Sequence, residues 1–144
     1  MKVKATALAA IVAASAAVAH QGVKNPAVMA RMESMSAIAN NMKVLGTMAK
    51  GAVEFDAQAA RDAAAEIAKR AEQTPVLFEA NETDPKSEAK SVIWDHFDDF
   101  TQKSDDLVRV ASDLSNTIQS ADDLRAAVSS LGATCKACHA TYRK

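Results

Sequence analysis

An all-α fold, an antiparallel four-helix bundle, is the architecture this sequence predicts, and three observations predict it. Alanine dominates the composition, only 4% of residues are aromatic, and the chain has 4 Gly and 3 Pro. Strands favour β-branched and aromatic residues and need frequent turn residues, so a β-sandwich or barrel is disfavoured. Apolar residues recur at helical intervals of three, four and seven along four stretches of the chain. Helix start and stop signals then separate those four stretches, with one long and two short connections.

The 144 residues suit one domain rather than two. Lys2 and Lys4 precede an uncharged, alanine-rich run from Ala5 to Val18 that closes with Ala17-Val18-Ala19. This reads as a secretory signal peptide over residues 1–19, cleaved after Ala19. A membrane anchor would need roughly 20 strongly apolar residues. Residues 20–144 are expected to be exported and to form the bundle. Losing the two lysines moves the formal charge from −1 to about −3. With 17 basic against 18 acidic residues, no basic field points to nucleic acid. No later apolar stretch approaches membrane length, so no membrane insertion of the mature chain is expected. His20 would become the N-terminus, where amine and ring could chelate copper; with no nearby ligand cluster it reads as a terminal residue.

The first helix is expected over about Pro26 to Lys50. Asn25 and Pro26 form a cap and first-turn pair, and Gly51 terminates the run. Val28, Met35, Ile38, Met42 and Leu45 lie on one stripe, with Met32 close to it. Asp56 can cap the second helix, whose Ala57, Ala60, Ala64, Ile67, Ala68 and Ala71 share a face. That helix is expected to end near Thr74, before Pro75. Residues 75–85, with Pro75, Pro85 and the apolar Val76, Leu77 and Phe78, read as a folded-back loop. A third helix from about Lys86 to Ile118 carries Ile93, Phe97, Phe100, Leu107, Ala111, Leu114 and Ile118 on a near-heptad seam. Ser104 is its one polar interruption. Ser120 and Asp123 form a capping box for the fourth helix, about Ala121 to Arg143. Its seam runs Leu124, Val128, Leu131, Cys135, Cys138, Tyr142, which points both cysteines into the core.

Those two cysteines occur as Cys135-Lys136-Ala137-Cys138-His139, and C-x-x-C-H is the attachment signature of a c-type haem. Cysteines at i and i+3 of a helix face the same way, so each can form a thioether with one porphyrin vinyl group. His139, at i+4 from Cys135, can then reach the iron as proximal ligand. A thioredoxin-like redox pair would expect a βαβ context. Zinc would want four ligands where the motif offers three. A structural disulfide suits an exported chain but leaves His139 unexplained. One covalently bound haem c with its iron is the expected cofactor.

A haem motif at the extreme C-terminus of a four-helix bundle, here C-K-A-C-H-A-T-Y-R, resembles the class II c-type cytochromes, the cytochrome c prime family, over the whole mature chain. Lys50-Gly51, Phe55-Asp56, Ile93-Trp94 and Arg143, four residues after the histidine, match as well. In most of that family the iron is five-coordinate, shielded by an apolar residue sixteen positions before the glycine that closes the first helix. Counting back from Gly51 gives Met35. A low-spin branch has methionine there and uses its thioether as sixth ligand; Asn41-Met42-Lys43-Val44-Leu45-Gly46 and Ala49-Lys50-Gly51 also look like that branch. The resemblance therefore implies Met35 as distal ligand. Periodicity alone does not choose among Met32, Met35 and Met42, although Met42 lies roughly 10 Å along the axis from Met35.

Histidine–methionine ligation raises the potential and closes the iron to small molecules. The expected role is then one-electron transfer between periplasmic redox partner proteins, with no enzymatic activity. The alternative is a five-coordinate, high-spin protein that binds nitric oxide or carbon monoxide, and a third is a haemless bundle with a disulfide. Arg31 matches a family position near the haem propionates, and reads equally as a solvated surface arginine. Arg143 could raise the potential by its charge or complement the negative end of the last helix. Trp94 reads as packing and His96 as a surface residue. Asp98, Asp99, Asp105 and Asp106 resemble a docking patch, although paired acids on a helix face are usually solvated. Family members often pair as homodimers through the first two helices, and the alanine face of the second helix allows close packing; oligomeric state stays open.

Overall fold

The computed structural model describes residues 22–144, so the signal peptide and His20 lie outside the described residues. Five helices occupy this range: α1 Pro26–Ala49, α2 Ala57–Phe78, α3 Val92–Asp95, α4 Phe97–Thr117 and α5 Ala121–Tyr142. The long helices pack as neighbours in chain order, α1 on α2, α2 on α4 and α4 on α5, and α5 closes the ring on α1. This is the expected four-helix bundle. Asn25 caps α1 by accepting from the amides of Ala27 and Val28, and Gly51, at φ +69°, ends it. Asp56 caps α2, and Ser120 and Asp123 form the capping box of α5.

The structure corrects two boundaries. Helix α2 does not stop before Pro75 but continues to Phe78 with the proline inside it. A proline cannot donate to the carbonyl four residues back, here Ala71. The Ser104 hydroxyl on α4 donates to that oxygen at 2.7 Å, so the polar interruption of the α4 seam supplies the donor that Pro75 lacks. The third helix does not begin at Lys86. Residues 88–90 pair instead with the chain end: Ala89 bridges Arg143, Lys90 N donates to Tyr142 O at 2.9 Å and Lys144 N to Glu88 O at 2.8 Å. With those backbone groups engaged, the start of the expected helix is reduced to the single turn α3, and the rest of it is α4. The chain bends at His96 (φ −130°, ψ 47°) before α4 starts.

Two apolar clusters fill the bundle. The larger joins Ile38, Leu45, Ile67, Ala111, Leu124 and Leu131 with the alanines of α2. Ala60, Ala64 and Ala71 are wholly buried, so the alanine face lets α2 approach its neighbours inside the bundle. A homodimer through α1 and α2 would have to use their outward faces. The smaller cluster gathers Phe78, Ile93, Phe100 and Tyr142 near the other end. Phe100 meets Phe78 at 5.1 Å and Tyr142 edge-on at 5.3 Å.

The stretch between α2 and α3 is irregular but tightly held. Arg31, 3% exposed, donates through Nε to Leu77 O at 2.8 Å, Nη1 to Glu82 O at 2.7 Å and Nη2 to Ala80 O at 2.5 Å. Its guanidinium also lies over the rings of Phe78 and Trp94, at 4.7 and 5.4 Å. Asp84 accepts from the amides of Lys24, Asn25 and Lys86 at 2.8 to 3.1 Å. Burial of the carboxylate among three N–H donors is compatible with its charge, and those donors hold its pKa below the ordinary value.

Candidate haem site

A cavity of about 680 Å³ opens beside the smaller cluster, walled by α1, α4, α5 and residues 86–89. Cys135, Cys138, His139, Met35 and Arg31 all line it, so the residues expected to tether, ligate or border the haem share one cavity. The volume falls within the roughly 300–1,000 Å³ common for cofactor pockets. Its walls are mainly apolar, from Val28, Ile38, Ile93, Phe100 and Leu107.

The α5 wall follows from the helical period, since Cys135, Cys138, His139 and Tyr142 succeed one another at three, one and three residues. Both cysteines are free and half-buried, at the cavity surface rather than inside the core. Burial pushes both thiols up in pKa, and Lys103 on α4 partly offsets this for Cys138. His139 is exposed on one side. Desolvation and then the charge of Arg143 lower its pKa, while Glu88 opposes them. The neutral imidazole that a metal ligand requires is therefore the favoured form.

On α1, Met32, Met35 and Met42 are all partly buried and all line the cavity. They differ in what they pack against. Met42 touches only the larger cluster, whereas Met35 packs against both and shares the smaller one with Cys138. Met48, in contrast, is core.

Tyr142 is buried against Phe100, and its hydroxyl donates to Asp99 Oδ2 at 2.5 Å. Burial first, and the Asp99 carboxylate second, push the phenol up to about 12. Asp99 is thus committed to Tyr142 and Lys103, and Asp106 to Arg109, which leaves less of an acidic patch than the sequence suggested. Trp94 donates to Phe78 O at 2.8 Å and packs behind the cavity wall; His96 is exposed. Sequence reasoning missed Lys86, Glu88 and Lys103 as cavity residues. Only the helical phase of Lys103, one turn from Phe100 and Leu107, could have signalled any of them.

The site chemistry suits a covalently held porphyrin better than a bare metal ion. Among the described residues no group of three or more His, Cys, Asp or Glu side chains is disposed to hold a metal, so zinc finds no ligand set. Two unpaired thiols on one helix face, a neutral imidazole one residue on, and a roomy apolar cavity across from them match the needs of haem c. Cys135 and Cys138 would carry the thioethers and His139 would face the iron.

Comparison with known proteins agrees. The family described as Cytochrome C' matches residues 26–143. A cytochrome c' of Pararhodospirillum photometricum is 33% identical over 117 residues, covering 79% of this chain and 93% of that protein. A cytochrome c-556 of Agrobacterium tumefaciens is 34% identical over 113 residues, covering 76% and 89%. Among solved structures, the NMR-validated structural model of oxidised R. palustris cytochrome c556 superposes with a TM-score of 0.76 at 26% identity, covering 84% of this chain and 98% of that one.

Proposed function

The chain belongs to the cytochrome c' family, and from that premise we propose that it is a periplasmic electron carrier whose haem iron is held between His139 and Met35. Haem c supplies a one-electron couple. Everything else is the work of the chain. Cys135 and Cys138 tether the group to α5, and His139 presents a neutral ring from the same helix. Met35 offers its thioether from α1, across the cavity. Because α1 and α5 are long helices, each with a side-chain cap at its N-terminus, the two ligands would stay in place when the charge of the iron changes. Val28, Ile38, Ile93 and Phe100 keep water from the interior side.

The observation that carries this reading is the sharing of one cavity and one aromatic cluster by Met35 and Cys138. Arg31 lines the cavity too, but three of its nitrogens serve backbone carbonyls, of Leu77 at the end of α2 and of Ala80 and Glu82 beyond it; we assign it to holding the wall rather than a propionate. Export by residues 1–19 belongs to the same proposal, since haem attachment of this type follows translocation, and redox proteins of the periplasm are the expected partners.

The test is the absorption spectrum of the holoprotein, oxidised and reduced, with and without carbon monoxide, beside a Met35→Leu variant. A low-spin spectrum with a methionine-to-iron charge-transfer band, unresponsive to carbon monoxide, and loss of both traits in the variant are expected. A high-spin spectrum that shifts with carbon monoxide and ignores the substitution would reject Met35 as ligand and make gas binding the function.

A further inference from the structure

Four residues beyond His139 the chain has left α5 and runs beside residues 88–90. The Ala89–Arg143 bridge and its flanking amide bonds set two side chains face to face. Arg143 Nε donates to Glu88 Oε2 at 2.7 Å, and Nη2 lies 2.5 Å from the same oxygen. Glu88, Arg143 and His139 all line the cavity. Arg143 is therefore neither a lone cation beside the axial ligand nor merely a complement to the helix end.

We propose that Glu88 is a positioning residue of the redox site: it fixes Arg143 against the 88–90 segment and offsets its charge, so that the pair sets the field on the histidine side. The inference rests on His139 being the iron ligand. Ferric haem carries one more positive charge than ferrous haem. An uncompensated cation nearby raises the potential, and an uncompensated anion lowers it. The two side chains are 60% and 53% exposed, so water and salt screen them and each effect is severalfold rather than larger.

The experiment is an equilibrium redox titration of holoprotein carrying Glu88→Gln, Arg143→Gln or both. Glu88→Gln should favour the ferrous form about threefold, roughly 28 mV upward at 59 mV per tenfold for one electron. Arg143→Gln should move the midpoint down by a similar amount, and the double variant should return close to wild type. A purely structural tie predicts the opposite sign for Glu88→Gln, because an opened wall admits water and water favours the more highly charged ferric state. That sign, or an unchanged midpoint, overturns the proposal. The iron-shifted ring resonances of His139 in the NMR spectrum of the same samples keep the two readings apart. Their presence with a wrong midpoint rejects the role of Glu88, and their absence from wild type rejects the ligand assignment itself.

Discussion

Replacing Ser104 by alanine removes one oxygen from a residue that is 7% exposed, and with it the hydroxyl that donates to Ala71 O where Pro75 has no N–H to offer. A buried carbonyl left without a partner costs about 1–3 kcal/mol. Taking about 2 kcal/mol, and a urea dependence of about 2 kcal/mol per molar, the unfolding midpoint should fall by roughly 1 M. The decisive comparison is the same substitution in a Pro75→Ala background. There residue 75 regains its N–H and can close the ordinary helical bond to Ala71 O, so the serine becomes redundant and its loss should cost about 0.5 kcal/mol. The two substitutions should therefore couple by about 1.5 kcal/mol in a double-mutant cycle, within the range of neighbouring groups that share a partner. Urea denaturation of the four holoproteins, followed by far-ultraviolet circular dichroism, measures it. Equal losses in both backgrounds would show that Ser104 does not compensate the proline.

Two pH experiments follow from the same structure. The depressed pKa of Asp84 means that its hydrogen bonds stabilise the protein above the unfolded-state value near 3.8 and that this contribution disappears as pH falls through the folded-state value. Asp84→Asn should therefore be less stable than wild type at pH 6, the gap narrowing to nothing in acid; a gap independent of pH would contradict the role given to the carboxylate. Tyr142 is the only tyrosine of the chain, so ultraviolet difference titration follows it alone. Its phenol should ionise near 12 rather than 10. Stability should fall between those values, where the unfolded chain releases the proton and the folded one does not. Ionisation near 10 would mean that the ring is not buried against Asp99.

Much of the site was legible because the helical period and the haem motif are local. The spacing of Cys135, Cys138 and His139 gave their common wall, and the stripe of α1 brought Met35 to the cavity. That stripe was nonetheless read as a single inward face. In the structure it divides, Val28, Ile38 and Leu45 being buried and Met35 and Met42 half-buried at the cavity, a distinction that depends on which helix lies opposite. The two misplaced boundaries share one cause. Pro75 is accommodated in α2 beside a hydroxyl from residue 104 on another helix, and Lys86 fails to start a helix because residues 88–90 pair with residues 142–144. No window around either position contains the compensating group. Glu88 escaped notice for the same reason: a solvated acid in sequence, it acquires meaning only when Arg143 is folded against it.

The irregular segment between α2 and α3 is moored at both ends of the domain, to Lys24 and Asn25 through Asp84 and to residues 142–144 through Glu88 and Lys90. The Asp84 contacts span 59 and 60 residues of chain and the Glu88–Arg143 contact 55. Each of these contacts closes a long loop, at an entropic cost that grows only slowly with loop length. Residues 86–89 line the cavity beside Cys135, Cys138 and His139, so that stretch of the wall is held by the two ends of the described chain rather than by a helix of its own.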